Sequence, residues 1–305
     1  MQPLQLLAGL ALIWRLFGPG DGFAPLEWYP NEPYKVVENA ELTVDIYAPA
    51  RWLAPGPTPA VLLIHGGVWR LDLRHECAGW AQDLAQEAGM AGVVVQFRLE
   101  PKRGFMDQVA DIKDAVRWLR LHADEYNIDR NRIGIYGSSS GAHLAALAAF
   151  AGDEEGWGDD WPGASSRIQA ACLVYGIYDL TAIEESAVPH LFYHVAAAYC
   201  MNAFGTNTPD FARASPINYI DGSEPPVMLI HGTMDPWAPV AQIEEMAARL
   251  KTARVPIQCL VFDDFGHGFV HVRPLTRPLA QEAMTSYFRA VFGEDSVTGL
   301  GLAPF

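Results

Sequence analysis

Short apolar runs alternate with segments of helical periodicity along most of this chain. Val61-Leu62-Leu63-Ile64, Ile133-Gly134-Ile135-Tyr136, Val227-Met228-Leu229-Ile230 and Ile257-Gln258-Cys259-Leu260-Val261-Phe262 have the length and β-branched content of buried strands. Ala142-His143-Leu144-Ala145-Ala146-Leu147-Ala148-Ala149 is built from strong helix formers. The alternation predicts an α/β fold, with a mostly parallel sheet and helices on both of its faces. Two further stretches read as amphipathic helices. One carries Leu4, Leu6, Leu7, Leu10, Ile13 and Trp14 at about helical spacing and is stopped by Gly18-Pro19-Gly20. The other, aromatic-rich, runs from Pro189 to Asn202 between two sheet strands, where it is either a cap or a core-packing helix.

Chemistry enters at the ends of these strands. Gly137-Ser138-Ser139-Ser140-Gly141 follows an apolar strand and opens a helix, the setting in which a G-x-S-x-G turn exposes a nucleophilic serine. Ser139 then sits at the tip, with the helix dipole favouring negative charge beside it. By itself the motif also fits a plain βα loop. His65-Gly66-Gly67-Val68-Trp69 follows the strand at 61–64, and its glycines free backbone N–H groups to face a substrate oxygen. Gly67, Val68 and Ser140 are the expected oxyanion donors, and His65 is expected to hold the loop by hydrogen bonding. Thr233-Met234-Asp235-Pro236 and Gly266-His267-Gly268-Phe269 follow the last two strands. The order Ser139, Asp235, His267 is that of a triad in which His267 moves the proton and Asp235 orients it.

Other candidates fit less well. His271 lacks the glycine setting, and Asp263 and Asp264 precede His267 too closely to face it. Asp179, the runner-up acid, is better suited to cap a helix. His143 and His231 read as hydrogen-bonding scaffold. Arg98 and Asp111 are charges in buried-looking segments and are expected to pair as a brace.

Together these segments resemble the α/β-hydrolase esterases, in the group of the BD-FAE-like carbohydrate and feruloyl esterases and the hormone-sensitive-lipase-like esterases. The resemblance spans roughly residues 40–292. It rests on His65-Gly66-Gly67-Val68-Trp69, Phe97-Arg98-Leu99, the helix Asp111–Leu119, Ala214-Ser215-Pro216, His231–Pro236 and Gly266–Phe269. Val68 stands where the lipase-like branch has a third glycine, and Ser140 where an alanine is common; both keep a backbone N–H. Glu100-Pro101-Lys102-Arg103-Gly104 departs from the Ala-Pro-Glu continuation of that branch. The resemblance implies an α/β-hydrolase fold with a small helical cap. It also implies a serine esterase that works through an acyl-enzyme and needs no cofactor. In the lipase-like branch an N-terminal segment forms part of a cap, so residues 1–20 are expected to cover the site, against the alternatives of docking elsewhere or a weak membrane anchor. Residues 181–213 are the second cap candidate.

The remaining composition changes little. The chain has 305 residues, half of them hydrophobic, which suits one domain over 1–305. The formal charge of −15, without a basic patch, argues against nucleic acid. The N-terminal stretch is short for a membrane span and lacks a signal-peptide pattern, so a cytoplasmic location is expected, with export or peripheral attachment left open. The sequence is compatible with a homodimer. Cys77, Cys172, Cys200 and Cys259 show no metal-ligand spacing, so free thiols and no metal are expected. Trp69, Tyr178, Trp237 and Phe269 flank the expected catalytic loops and predict a partly aromatic pocket for short-chain or aromatic esters. An arylformamidase-like amidohydrolase would use the same triad. A hydrolase fold that only binds is the third reading.

Overall fold

The structure is a computed structural model that describes residues 24–99, 104–152, 157–158, 160–182, 208–272 and 276–293. The helix expected over residues 1–20, the run from Pro189 to Asn202 and most of the 181–213 segment lie outside the described residues.

Eight strands form one sheet: β1 (Leu26–Val37), β2 (Ala40–Pro49), β3 (Thr58–Ile64), β4 (Ala91–Val95), β5 (Ile128–Ser138), β6 (Ala170–Val174), β7 (Val227–Gly232) and β8 (Ile257–Phe262). Their spatial order is β1-β2-β4-β3-β5-β6-β7-β8. The pairings β1–β2 and β2–β4 are antiparallel, and every pairing from β4 to β8 is parallel. The α/β-hydrolase architecture expected from the sequence is therefore present.

Strand pleating explains why these runs lack polar alternation. Successive side chains point to opposite faces, and both faces are covered. Leu62 and Ile64 join one core with Ile112, Val116, Leu144 and Met246. Val61 and Leu63 join the other with Trp80, Tyr136, Met284 and Phe288. The first face carries helices α2 (Phe105–His122), α3 (Ser140–Phe150) and α5 (Ala241–Thr252); the second carries α1 (Arg74–Asp83) and α7 (Thr276–Phe292). Shorter helices α4 (Thr208–Ala214) and α6 (Phe269–Val272) complete the described set.

Register places the loops. Ile64 pairs Gly137, Ser138 pairs Val174, Val174 pairs Ile230 and Gly232 pairs Phe262. The loops after β3, β5, β6, β7 and β8 thus leave the carboxyl ends of neighbouring strands at one edge of the sheet, where open α/β sheets bind ligands.

Buried charges tie α2 to β1 and to the segment after β4. Arg98 Nε and Nη2 each reach Asp111 at 2.7 Å. The expected pair is present but belongs to a larger network. Lys35 from β1 bridges Asp111 at 3.2 Å and Asp114 at 2.6 Å, and Arg117 reaches Asp114 at 3.0 Å. Both carboxylates are fully buried, and each is compensated by two cations, as buried charge requires.

Candidate active site

Ser139 lies between β5 and α3 with φ 55° and ψ −125°, a conformation that non-glycine residues rarely adopt. The turn that imposes it depends on its glycines. A Cβ on Gly137 would collide with the Gly141 carbonyl, and one on Gly141 with the carbonyls of Ile64 and His65. Backbone approach on both sides of the serine leaves no room for side chains, so the two glycines are a packing requirement.

The facing loop is strained in the same sense. Gly67, Val68 and Trp69 have φ of 118°, 49° and 62°. A left-handed β-branched residue such as Val68 is a rare conformer held by its surroundings. The turn's own hydrogen bonds run from the amides of Arg70 and Leu71 to Gly67 O, both at 3.0 Å, so they do not consume the Gly67 and Val68 amides. Ser140 is the first residue of α3, where an amide lies ahead of the intrahelical ladder. Gly66 packs against the elbow: a Cβ there would stand 3.1 Å from Ser139 Cβ. His65 donates from Nδ1 to Gly66 O at 2.6 Å and stacks on Phe97, with burial holding its pKa below the ordinary value.

From the other wall, His267 Nε2 accepts from Ser139 Oγ at 2.8 Å, and its Nδ1 donates to Asp235 Oδ2 at 2.7 Å. The Asp235 side chain is fully buried while that of His267 is 21% exposed, so the histidine is the open end of the chain of bonds. Asp235 Oδ1 accepts the amides of Trp237 at 2.8 Å and Ala238 at 2.9 Å, which aims Oδ2 at the imidazole. His231 lies 3.9 Å from the same carboxylate. Burial lowers its pKa, and its Nε2 donates to Ala238 O at 2.9 Å. Tyr175 packs on the His267 ring with centroids 4.7 Å apart.

The competing residues are accounted for. Asp179 Oδ1 accepts the amides of Thr181 at 2.9 Å and Ala182 at 3.2 Å, the capping geometry expected of it. Asp263 and Asp264 are exposed. His271 packs edge-on against Trp80.

A cavity of about 300 Å³ opens over Ser139 and His267. Trp69, Trp237, Val68, Leu71 and Ile177 form its apolar lining. Two of the four expected aromatics are elsewhere. Tyr178 is 1% exposed and belongs to the core, its hydroxyl accepting the Gly176 amide at 3.3 Å. Phe269 is buried among Tyr175, Phe262 and Phe265 beneath the histidine loop. Ile177 and Leu71, which motif reading missed, take their places in the lining. Both lie outside any strand or helix, so no periodicity in the sequence marks the face they take.

Comparison with known proteins gives the same picture at a coarser level. The BD-FAE family model matches residues 44–250. Esterase LipQ of Mycobacterium tuberculosis is 29% identical over 246 residues, which cover 79% of this chain and 58% of that protein. The chain spans about half the length of the first curated relatives it matches. Among solved structures, the propionate-bound thermophilic esterase Est2 of Thermogutta terrifontis aligns with a TM-score of 0.72 at 27% identity, over 95% of this chain and 99% of that one. The same esterase phosphonylated by sarin aligns with a TM-score of 0.75 at 26% identity, over the same shares of the two chains.

Proposed function

The chain belongs to the BD-FAE family, and from that membership and the site geometry we propose that it is a serine carboxylic-ester hydrolase. The observation that carries the proposal is the continuous chain Ser139 Oγ, His267 Nε2, His267 Nδ1, Asp235 Oδ2, with links of 2.8 and 2.7 Å, on a serine held at φ 55°.

In the proposed reaction Ser139 Oγ attacks the ester carbonyl carbon as its proton passes to His267 Nε2. The amides of Gly67, Val68 and Ser140 receive the developing oxyanion. Fixed donors of this kind are worth roughly 3–4 kcal/mol each in the transition state. His267 returns the proton to the departing alkoxide, so an alcohol leaves and an acyl-enzyme remains. Water, deprotonated by His267, attacks that acyl carbon; the collapsing intermediate releases a carboxylic acid, and Ser139 recovers its proton. Asp235 keeps the imidazole in the Nδ1–H tautomer and stabilises its cationic form.

The cavity supports short-chain or aromatic esters. About 300 Å³ is at the lower end of small-ligand pockets, and Trp69 and Trp237 offer flat apolar walls. The propionate bound to the Thermogutta esterase is a short acid of the kind proposed here. One domain over residues 1–305 is part of the same proposal, supported by the single sheet that the described strands form. Among the described residues no helix is long and apolar enough to cross a membrane.

Hydrolysis of p-nitrophenyl acetate through decanoate by the wild-type protein and Ser139→Ala tests the proposal. Activity confined to the short esters and lost in the variant is expected. A folded wild type that is inactive on all of them, or activity that survives the substitution, would overturn it; N-formylkynurenine hydrolysis in the first case would favour the amide reading.

A further inference from the structure

The oxyanion loop is held by a residue that takes no part in the reaction proposed above. Val68 and Trp69 both have positive φ, and a backbone so disposed persists only when neighbours over-determine it. Trp69 is gripped at both ends. Its carbonyl accepts from Gln108 Nε2 at 2.9 Å, and its indole N–H donates to His143 Nδ1 at 3.1 Å. The two rings also meet edge to face, 5.4 Å apart at 84°.

His143 has a second partner. Its Nε2 lies 2.7 Å from Ala214 O, at the end of α4. A carbonyl can only accept and an indole N–H can only donate. The ring must therefore be neutral, with the proton on Nε2 and the lone pair on Nδ1. Complete burial enforces this and moves the pKa down to about 4. The backbone of the same residue donates to Ser139 O at 3.2 Å, in the first turn of the nucleophile helix. One side chain thus ties the elbow helix, the oxyanion loop and α4 together.

We infer that His143 is a positioning residue for the reaction: by accepting the Trp69 indole N–H it fixes the left-handed Val68–Trp69 backbone, and with it the aim of the Gly67 and Val68 amides. The inference rests on the esterase reading of the site. Losing the clamp misaims donors that matter only in the transition state, so kcat falls while KM stays near its wild-type value.

The test compares His143→Leu, His143→Gln and Trp69→Phe on p-nitrophenyl butyrate. Leucine removes both bonds. Glutamine restores both polarities, its Oε1 accepting from the indole and its Nε2 donating to Ala214 O. Phenylalanine deletes the donor together with one ring of the indole, a side chain that also lines the cavity, so its kcat rather than its KM is the readout. His143→Leu is expected to lose roughly 10- to 100-fold in kcat, the scale of a small misplacement of catalytic groups, with KM within about twofold. His143→Gln is expected to recover most of that loss. Trp69→Phe should lose kcat comparably, and the Leu/Phe double variant should be no worse than the poorer single one, since the Trp69–His143 bond is lost in each.

A His143→Leu protein with lowered Tm but wild-type kcat, or a Gln variant as impaired as Leu, would overturn the inference. If His143→Leu does not fold, the Gln and Phe variants decide by the same split. Deuterium exchange of the Trp69 indole N–H, slow in wild type and His143→Gln and fast in His143→Leu, reads the clamp without any turnover. A wild type inactive on esters with a slowly exchanging indole would overturn the esterase reading and leave the clamp standing. A fast-exchanging indole in the wild type would overturn the clamp.

Discussion

The two walls of the site are built on opposite principles. The elbow and oxyanion wall, His65 to Trp69 and Gly137 to Gly141, positions atoms through backbone that is out of its ordinary range. Ser139, Val68 and Trp69 all have positive φ there, and added Cβ atoms at Gly137 and Gly141 would strike neighbouring backbone. The acid and base wall, Asp235 to Ala238 and Gly266 to Phe269, positions side chains through hydrogen bonds. Asp235 is fixed by two amides, and the glycines on either side of His267 have space: a Cβ on Gly268 meets nothing within 4 Å. The difference follows from what each wall must do. Oxyanion donors are main-chain groups and can only be aimed by bending the chain. A proton shuttle needs one orientable ring with an open edge, and in the loop 263–269 the backbone is left-handed only at Asp264 and Gly268.

Glycine substitutions are the strongest way to break this comparison. Gly141→Ala should abolish soluble folded protein, because its new Cβ lands on the carbonyls of Ile64 and His65. Gly268→Ala should fold and cost about 1 kcal/mol, the ordinary penalty of a left-handed non-glycine residue, with φ +74° its only difficulty. Expression and thermal melting of the pair check this; equal stability would erase the distinction between the walls.

Next in size is Asp235→Asn. The second wall works through one hydrogen-bond polarity, so an amide in place of the carboxylate selects the wrong imidazole tautomer. A loss of roughly 10⁴-fold in kcat is expected with a nearly unchanged Tm. Steady-state kinetics beside a melting curve separate the two effects.

A third prediction concerns pH. His143 has its folded pKa lowered from 6.5 to about 4 by burial. The unfolded chain therefore binds a proton that the folded chain refuses. Its contribution to stability is complete above about pH 6.5 and is lost progressively as the pH falls towards 4. The full effect is about 3 kcal/mol. Denaturant unfolding between pH 4 and 7 should show a steeper fall for wild type than for His143→Gln; parallel curves would mean that the histidine is not held neutral.

The smallest effect sharpens the account of the first wall. Val68→Gly removes a strained β-branched residue but keeps the amide, so it should raise stability by about 1 kcal/mol and leave kcat within a few-fold. A destabilised variant would show that Val68 is held by packing worth more than its strain.

The walls also differ in how legible they were. Both sets of polar groups were readable because each is set by a few adjacent residues at a strand end. Gly137–Gly141 and Gly66-Gly67 report backbone crowding directly, and Asp235 and His267 each follow an apolar strand run. The mostly parallel sheet and the two-faced core followed from the same runs, whereas the crossover of β4 and β3 in the strand order did not. The pocket lining was less legible. Tyr178 and Phe269 stand beside the right loops, yet both turn into the core, because proximity in sequence does not fix the face a side chain takes. The charged brace was half readable: Arg98 and Asp111 stood out as charges among apolar residues, whereas Lys35 reaches them from β1, far away in the chain. His143 looked like scaffold because neither Trp69 nor Ala214 is near it in sequence.

Paraoxon labelling tests the central claim, that the strained wall presents the nucleophile, most directly. The Thermogutta esterase has a structure phosphorylated by paraoxon. After incubation of this protein with paraoxon, peptide mass spectrometry should find one diethylphosphoryl group, on Ser139, with none on the Ser139→Ala protein. An unlabelled Ser139, or an adduct on another residue, would contradict the account.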